Sequence, residues 1–303
     1  MQPELKAAIP ADTLQKFNTL EAQLSKLVRD GLVVAFSGGV DSAFLLWAAN
    51  RVARATNGRV LALTAVSASM AQAERADAEA FSKLLGVEHL WQQSSEVEKP
   101  EYTVNDSSRC YHCKSELFRI GGEVAKRDGF KWLAYGYNAS DRGDVRPGHK
   151  AALENGVFSP LADAELAKDD IRILMRAHAL PLSEKPASPC LSSRLMTGVV
   201  VTSERLAHID ALEAMLRAEG LRVFRVRMHE TNGKNWLRLE AAPDELERAF
   251  ELKDKLAEAA RSLGYMWAAV DLNGYRMGGG NDSTSISVDL TGNFEIEFSE
   301  ELK

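Results

Sequence analysis

The sequence predicts an α/β protein, a parallel sheet flanked by helices, followed by a smaller α+β unit. Three observations predict it. Short apolar runs alternate with helical stretches over residues 1–190, the pattern of a sheet built with right-handed crossovers. The run LVVAF (32–36) passes through SGGVDS (37–42) directly into the helical stretch SAFLLWAANRVAR. After PLSEKPASPC (181–190), which holds three prolines, the pattern changes to helix, strand, strand, helix, strand.

The elements follow in order. Leu14, Phe17, Leu20, Leu24, Leu27 and Val28 form an apolar stripe at helical spacing over 12–28. LVVAF is apolar and β-branched, as a strand buried on both faces must be. VLALTA (60–65) is the second strand, 70–85 a helix and HLWQQ (89–93) the third strand. Residues 113–127 read as helix and KWLAYG (131–136) as the fourth strand. In such sheets ligands bind outside the carboxyl ends of the strands, here Phe36, Ala65 and Gly136. ASDRGDVRPG (139–148) reads as a long polar loop, a place where binding residues gather. A helix at 168–179 precedes the proline-rich stretch. Beyond it come a helix at 203–218, strands RVFRVRM (222–228) and NWLRLE (235–240), a helix at 243–262 and strand MWAAVDL (266–272). GYRMGGGN (274–281) is a glycine-rich turn. The domains are therefore expected at 1–190 and 191–281, with a poorly ordered polar tail at 282–303.

Composition excludes several classes. A chain of 303 residues with 45% hydrophobic and 26% charged residues has the balance of a globular protein. No apolar run approaches the ~20 residues that span a bilayer, so no membrane partner is expected. The N-terminal MQPELKAAIPADTLQKF lacks a basic segment followed by an apolar core. With three cysteines and no framework spacing, the expectation is a reducing cytoplasm. A net charge of −6 argues against a nucleic-acid partner. Homo-oligomerisation is left open.

The chemistry begins at Ser37–Ser42. Gly38 and Gly39 let the backbone turn and approach an anion. The next helix points its free N–H groups and positive dipole end at that anion. Ser37 and Ser42 add hydroxyls, and Val40 contributes backbone. No lysine follows the glycines, so this is not the Walker pattern. Asp41 beside a phosphate would repel it unless a cation intervenes, which calls for Mg²⁺ between Asp41 and the pyrophosphate oxygens. A plain strand-to-helix turn is the competing reading, and the full six-residue string argues against it. SGGVDS closely resembles the pyrophosphate loop of the PP-loop ATP pyrophosphatases. That resemblance implies ATP cleaved between the α and β phosphates, with an adenylated substrate and pyrophosphate as products. Ala65 and Gly136, at the other strand ends, join the loop as expected ATP contacts.

Two cysteines, Cys110 and Cys113, lie in RCYHCK, and the third, Cys190, in SPCLSSR. Zinc could take all three, with His112 or His178 as the fourth ligand. An iron–sulfur cluster prefers thiolates, and three of them on a 4Fe–4S cube leave one iron open to sulfide. Buried core cysteines are the bland alternative, which the polar context SSRCYHCK disfavours.

The chain as a whole is similar to the LarE family, ATP-dependent sulfur transferases of nickel-pincer nucleotide synthesis. The matching stretches are AFSGGVDSAFLL, RCYHCKSELF, LAYGYNASDRGDVRPG, KPASPCLSSR, FRVRMH and DLNGYRMGGGN, which extend to about residue 281. The PP-loop alone marks only the superfamily, whereas PCLSSR with DLNGYR is discriminating. Some members sacrifice the PCLSSR cysteine, which becomes dehydroalanine. In those that also carry CxxC, three cysteines hold a 4Fe–4S cluster. The resemblance therefore implies the cluster type, with Cys110, Cys113 and Cys190 as ligands. It also implies a small nucleotide substrate, a sulfide source and a nickel-insertion protein acting downstream. A cluster-dependent tRNA thiolase is the alternative enzyme, and a regulator that binds ATP without releasing AMP is the non-catalytic one.

Arg225 and Arg227 alternate on one strand and face the same way, which suits a phosphate monoester. A solvated basic face would show the same spacing. The resemblance implies that the pair binds the substrate's phosphate. Arg194 is expected beside phosphate too, and Asp141 and Arg146 are expected to line the active site. Glu213 and Glu240 resemble acidic positions that the family can use for a second metal, but read here as a surface helix carboxylate and a strand-end carboxylate. Leu46 and Trp47 read as helix core.

Overall fold

The computed structural model describes residues 9–143, 147–276, 287–288 and 294–295. The N-terminal part runs α1 (Ala11–Arg29), β1 (Leu32–Ala35), α2 (Val40–Thr56), β2 (Val60–Val66), α3 (Gln72–Leu85) and β3 (Glu88–Gln93). Then come α4 (Pro100–Thr103), α5 (Arg109–Asp128), β4 (Trp132–Tyr135), α6 (Pro147–Glu154), α7 (Pro160–Asp163) and α8 (Lys168–Ala177). The four strands form one sheet in the order β3-β2-β1-β4, all parallel. The expected α/β architecture is therefore present.

Strand β1 is central and every residue of LVVA is buried, which is why it reads as unbroken apolar sequence. The chain moves to one side of β1 for β2 and β3 and to the other for β4. That reversal opens a crevice at the carboxyl ends of β1 and β4, the place where open α/β sheets bind ligands. On one face α1, α2 and α8 bury Phe17, Leu20, Leu24, Phe44, Leu45 and Leu174. The predicted stripe of α1 holds from Phe17 onward. Leu14 is instead 43% exposed, and Thr13 takes the inward place, its hydroxyl donating to Asp170 of α8 at 2.5 Å. On the other face α5 lays Ile120, Val124 and Ala125 against Val33, Leu61 and Leu63. Leu46 is fully buried and Trp47 packs on the same core, as expected.

The C-terminal part runs α9 (Ser203–Ala218), β5 (Phe224–Thr231), β6 (Lys234–Ala241), α10 (Leu246–Glu251), α11 (Lys253–Ser262) and β7 (Ala268–Val270). Its three-stranded sheet has the order β5-β6-β7, with β5–β6 antiparallel and β6–β7 parallel. Leu206, Ile209, Leu212 and Leu216 of α9 pack on Val226, Met228, Leu237 and Leu239. Leu191 and Leu195 enter this core, and so does Tyr102 of α4. The two parts are thus stitched together by α4 and the segment after Cys190.

Some elements differ from expectation. Helix α5 begins at Arg109, so Cys110 sits on its first turn and Cys113 at the start of its second. The expected loop 139–148 holds a 3-10 turn, Ala139–Gly143, and the start of α6. The helix expected over 243–262 is broken, with Pro243 opening a separate 3-10 turn and a second break at Leu252. The polar tail at 282–303 lies outside the described residues except for a small antiparallel pair, β8 (Ser287–Val288) and β9 (Phe294–Glu295), and so does the 277–281 portion of the glycine-rich turn. No helix among the described residues is long and apolar enough to cross a membrane.

Candidate active site

Ser37–Ser42 forms a turn from β1 into α2 that is tied to itself. The Ser42 hydroxyl donates to Gly39 O at 3.0 Å and accepts from Ser37 N at 3.2 Å, and the two hydroxyls lie 3.1 Å apart. Gly38 adopts φ 76°, and a Cβ there would meet Glu74 O at 3.0 Å. Lys185 reaches in from the proline-rich stretch, donating to Gly38 O at 3.0 Å while pairing with Glu74 and Asp77. Gly136, at the end of β4, lies so close to α2 that a Cβ would sit 2.6 Å from Ser42 N. The first turn of α2 therefore rests on the backbone of β4, with its N–H groups aimed at the crevice.

Asp41 is the charged group in this loop. Its Oδ2 accepts from Lys168 Nζ at 2.5 Å, while Oδ1 is buried and has no hydrogen-bond partner. Burial pushes the Asp41 carboxyl above its ordinary value, against the pull of Lys168. An orphaned, desolvated carboxylate oxygen costs stability unless something positive meets it. A hard divalent cation fits that vacancy in bonding, being bound through oxygen ligands such as carboxylate and phosphate.

The loop faces a cavity of about 270 Å³. Its walls include Ser37, Gly39, Asp41 and Ser42 from the loop, and Ala65 and Gly136 from the neighbouring strand ends. Cys113 and Cys190 line it as well. Of the expected ATP contacts, Gly38 and Val40 shape the loop without lining the cavity. Cys110, Asp141, Arg194, Arg225 and Arg227 do not line it either. Asp141 nevertheless lies close enough to Asp41 to raise its pKa. Arg146 lies outside the described residues.

All three cysteines are free thiols. Cys110 and Cys190 are exposed, while burial, reinforced by the Cys190 charge, pushes the Cys113 thiol up to about 12. Arg109 links them. Its guanidinium lies 4.0 Å from the Cys110 Sγ and donates to Ser192 O at 2.9 Å, and its cationic form is favoured by Cys190 and Cys110. The three thiols are alike in type, and Cys190 and Cys110 both act electrostatically on Cys113 and on Arg109. No three His, Cys, Asp or Glu side chains among the described residues are gathered into a metal-holding set. His178 is no neighbour of the cysteines. Its ring stands 4.5 Å from that of Trp47 and 5.9 Å from that of Phe17, in the α1–α2 core.

The three arginines are buried, which removes the solvated-face alternative. Arg194 is 1% exposed, and Arg225 and Arg227 are each 6% exposed. Glu213 and Glu240 are likewise buried, so Glu213 is not the surface helix carboxylate expected, while Glu240 is a strand-end carboxylate as expected, one residue before the end of β6. Glu213 makes a two-pronged pair with Arg194, both contacts at 3.0 Å. Glu240 pairs with Arg227 at 3.0 Å and with Arg238 at 3.0 Å. Alternation in the sequence hides this, because β5 turns its charged face toward the 187–194 segment and not toward water.

No family model matches the chain. Curated relatives do. An uncharacterised protein of Synechocystis is 35% identical over 86% of this chain and 97% of its own length. The pyridinium-3,5-bisthiocarboxylic acid mononucleotide synthase of Lactiplantibacillus plantarum is 30% identical over 88% of this chain and 93% of its own length. The chain belongs to the LarE family. An uncharacterised protein of Methanocaldococcus jannaschii is 29% identical over a shorter span, 57% of this chain and 66% of its own length.

Three groups of this LarE-family site escape a reading of sequence. Lys168 pairs with Asp41 across 127 positions, and Lys185 props the loop across 147. Lys168 belongs to no quoted motif, and Lys185 opens KPASPCLSSR without that stretch naming its partner in the loop. Glu96 is buried at the cavity wall and accepts from Ser67, Ser69 and Ser94. The serine spacing in SAS and SSE is its only sequence signal.

Proposed function

We propose that the chain is an ATP-dependent sulfur transferase that converts carboxylates of pyridinium-3,5-biscarboxylic acid mononucleotide to thiocarboxylates, in nickel-pincer nucleotide synthesis. The observation that carries this reading is one cavity walled by both the SGGVDS loop and two of the three cysteines. Adenylation and sulfur delivery then need no transport of an activated intermediate. The name and extent of the Lactiplantibacillus relative support the substrate.

In this account the α2 N-terminus and the Ser37 and Ser42 hydroxyls hold the ATP phosphates, and Asp41 would hold Mg²⁺, which when bound supplies charge neutralisation for the phosphates. The substrate carboxylate attacks the α-phosphorus, pyrophosphate leaves, and an acyl adenylate forms. Sulfide then displaces AMP. Cys110, Cys113 and Cys190 would hold a 4Fe–4S cluster, which when bound supplies an open iron for sulfide and so a rechargeable sulfur source. Arg109 holds positive charge beside those thiols. Arg225, which has no carboxylate partner among the described salt bridges, is the arginine of the RVR pair with charge to spare for a substrate phosphate. The proposed setting is cytoplasmic, with a sulfide source and a nickel-inserting protein as functional neighbours.

The test is product analysis. With ATP, Mg²⁺ and the biscarboxylate mononucleotide, AMP and pyrophosphate should appear, and Asp41→Asn should abolish both. ADP as the main nucleotide product would contradict the reading.

A further inference from the structure

Glu96 is a buried carboxylate that the account above leaves unused. It opens the 3-10 turn Glu96–Glu98 after β3 and is 3% exposed. It nevertheless lines the cavity that the phosphate loop shares with Cys113 and Cys190. Its position is tied to the thiol-bearing segment through Ser69. The Ser69 hydroxyl donates to Glu96 Oε1 at 3.0 Å, and the Ser69 carbonyl accepts from Leu191 N at 2.8 Å. One hydrogen-bonded residue therefore separates the carboxylate from the neighbour of Cys190.

Three hydroxyls serve this carboxylate, those of Ser67 and Ser69 at Oε1 and that of Ser94 at Oε2. They fill most of its lone-pair sites but bring no charge. No cation pairs with Glu96 among the described residues, although Glu116 takes both Lys99 and Arg119 and Asp41 takes Lys168. Lys114 lines the same cavity and makes no ion pair with Glu96. A buried charge is costly unless an opposite charge meets it. The site therefore calls for positive charge and has little use for another hydrogen-bond donor. An ammonium group or a hydrated metal ion would compete with the serines for the same lone pairs. A quaternary pyridinium nitrogen would not, because it carries positive charge and has no N–H to donate.

We propose that Glu96 is a substrate-binding residue that selects a cationic ring, its carboxylate meeting the charge of the pyridinium while the three serines keep its oxygens in place. This rests on the sulfur-transfer reading for the identity of the ligand. The serines fix the carboxylate before the ring arrives, so no side chain has to be ordered on binding. Selection by charge lets the cavity turn away neutral aromatic carboxylates of the same size, which would leave Glu96 desolvated and unmet.

The experiment is calorimetry on the full chain with two probes, the pyridinium biscarboxylate mononucleotide and its dihydropyridine form made by chemical reduction. The second keeps both carboxylates, the ribose and the phosphate but loses the ring charge. Wild type should bind the pyridinium form about tenfold more tightly, the scale of a partly screened charge pair. In E96Q, where the serines can turn to suit the amide, affinity for the pyridinium form should fall by that factor. Affinity for the dihydropyridine form and for ATP should not change. E96D draws the charge back by one methylene and should lie between. A wild-type ratio near one overturns the proposal, and so does an E96Q protein that weakens both probes equally, since Glu96 would then only support the wall. Loss of ATP affinity in E96Q at an unchanged probe ratio overturns it too, by assigning Glu96 to the nucleotide. If E96Q does not fold, E96D decides, and a wild-type ratio there counts against the proposal. A wild-type protein that converts the mononucleotide without preferring the charged ring fails this inference alone. One that binds neither probe fails the sulfur-transfer reading, and the inference with it.

Discussion

Replacing Gly136 by alanine tests whether β4 sets the position of the phosphate loop. The added Cβ would lie 2.6 Å from Ser42 N, 2.9 Å from Ser42 Cα and 3.0 Å from Asp41 C. All three are backbone atoms, so no side chain can swing aside. Carbon atoms settle near 3.5–4.0 Å, so the start of α2 must retreat by roughly 1 Å. Gly136 is not at positive φ, and the substitution brings no backbone strain of its own. Overpacking of this kind costs about 1–3 kcal/mol of stability. A 1 Å displacement of groups that hold a reacting phosphate costs about a hundredfold in rate. Gly122→Ala is the control. It lies in the exposed interior of α5 with nothing within 4 Å of the new methyl, and should stabilise by ~0.5–1 kcal/mol. Urea unfolding of both variants gives the stabilities, and pyrophosphate release gives the rate. A Gly136→Ala protein with wild-type stability and wild-type pyrophosphate release would refute the packing argument.

Three further outcomes are expected. Arg225→Ala should weaken mononucleotide binding by about 1.5–3 kcal/mol, measured by calorimetry, with ATP affinity unchanged. Unchanged mononucleotide affinity would leave Arg225 with its carbonyl contacts alone. Glu116 of α5 accepts from Arg119 and then Lys99, which hold its carboxyl at about 2 against an ordinary 4.5. Its folded pKa is the lower one, so its stabilisation is present above 4.5 and is lost as the pH falls toward about 2. Because both partners are largely exposed, E116Q should cost about 1–2 kcal/mol near neutrality, with the difference closing at acid pH; a constant difference would contradict the linkage. Burial holds His89 neutral, with its pKa lowered to about 4, between Thr64 and Ser82. The unfolded chain takes up the proton first, so wild-type stability should fall as pH drops from 6.5 toward about 4, and His89→Gln should flatten that slope.

What was legible in the sequence follows from how local each cause is. LVVAF–SGGVDS–SAFLL declares a strand, a turn and a helix within a few residues, and the structure has them in place. The stripe of α1 was legible through its period, apart from Leu14. The start of α5 was not, because Arg109–Cys113 is polar and carries no apolar period. The burial of Glu213 and Glu240 was illegible for a different reason. A carboxylate reads as surface unless its partner is known, and those partners, Arg194 and Arg227, lie 19 and 13 positions away. Lys168 on Asp41 is a longer case of the same kind. Pairings made by the tertiary fold leave no periodic trace, whereas the loop that turns the chain does.

The central claim is that one cavity joins adenylation to a renewable sulfur supply held by Cys110, Cys113 and Cys190. Anaerobic reconstitution with iron and sulfide, followed by counting of thiocarboxylate and AMP per chain, tests it most directly. The account predicts about four irons per chain, loss of the iron when any one of the three cysteines is replaced by alanine, and several thiocarboxylates per chain with AMP in step. A single product per chain with Cys190 converted to dehydroalanine, or one bound zinc in place of iron, would contradict it.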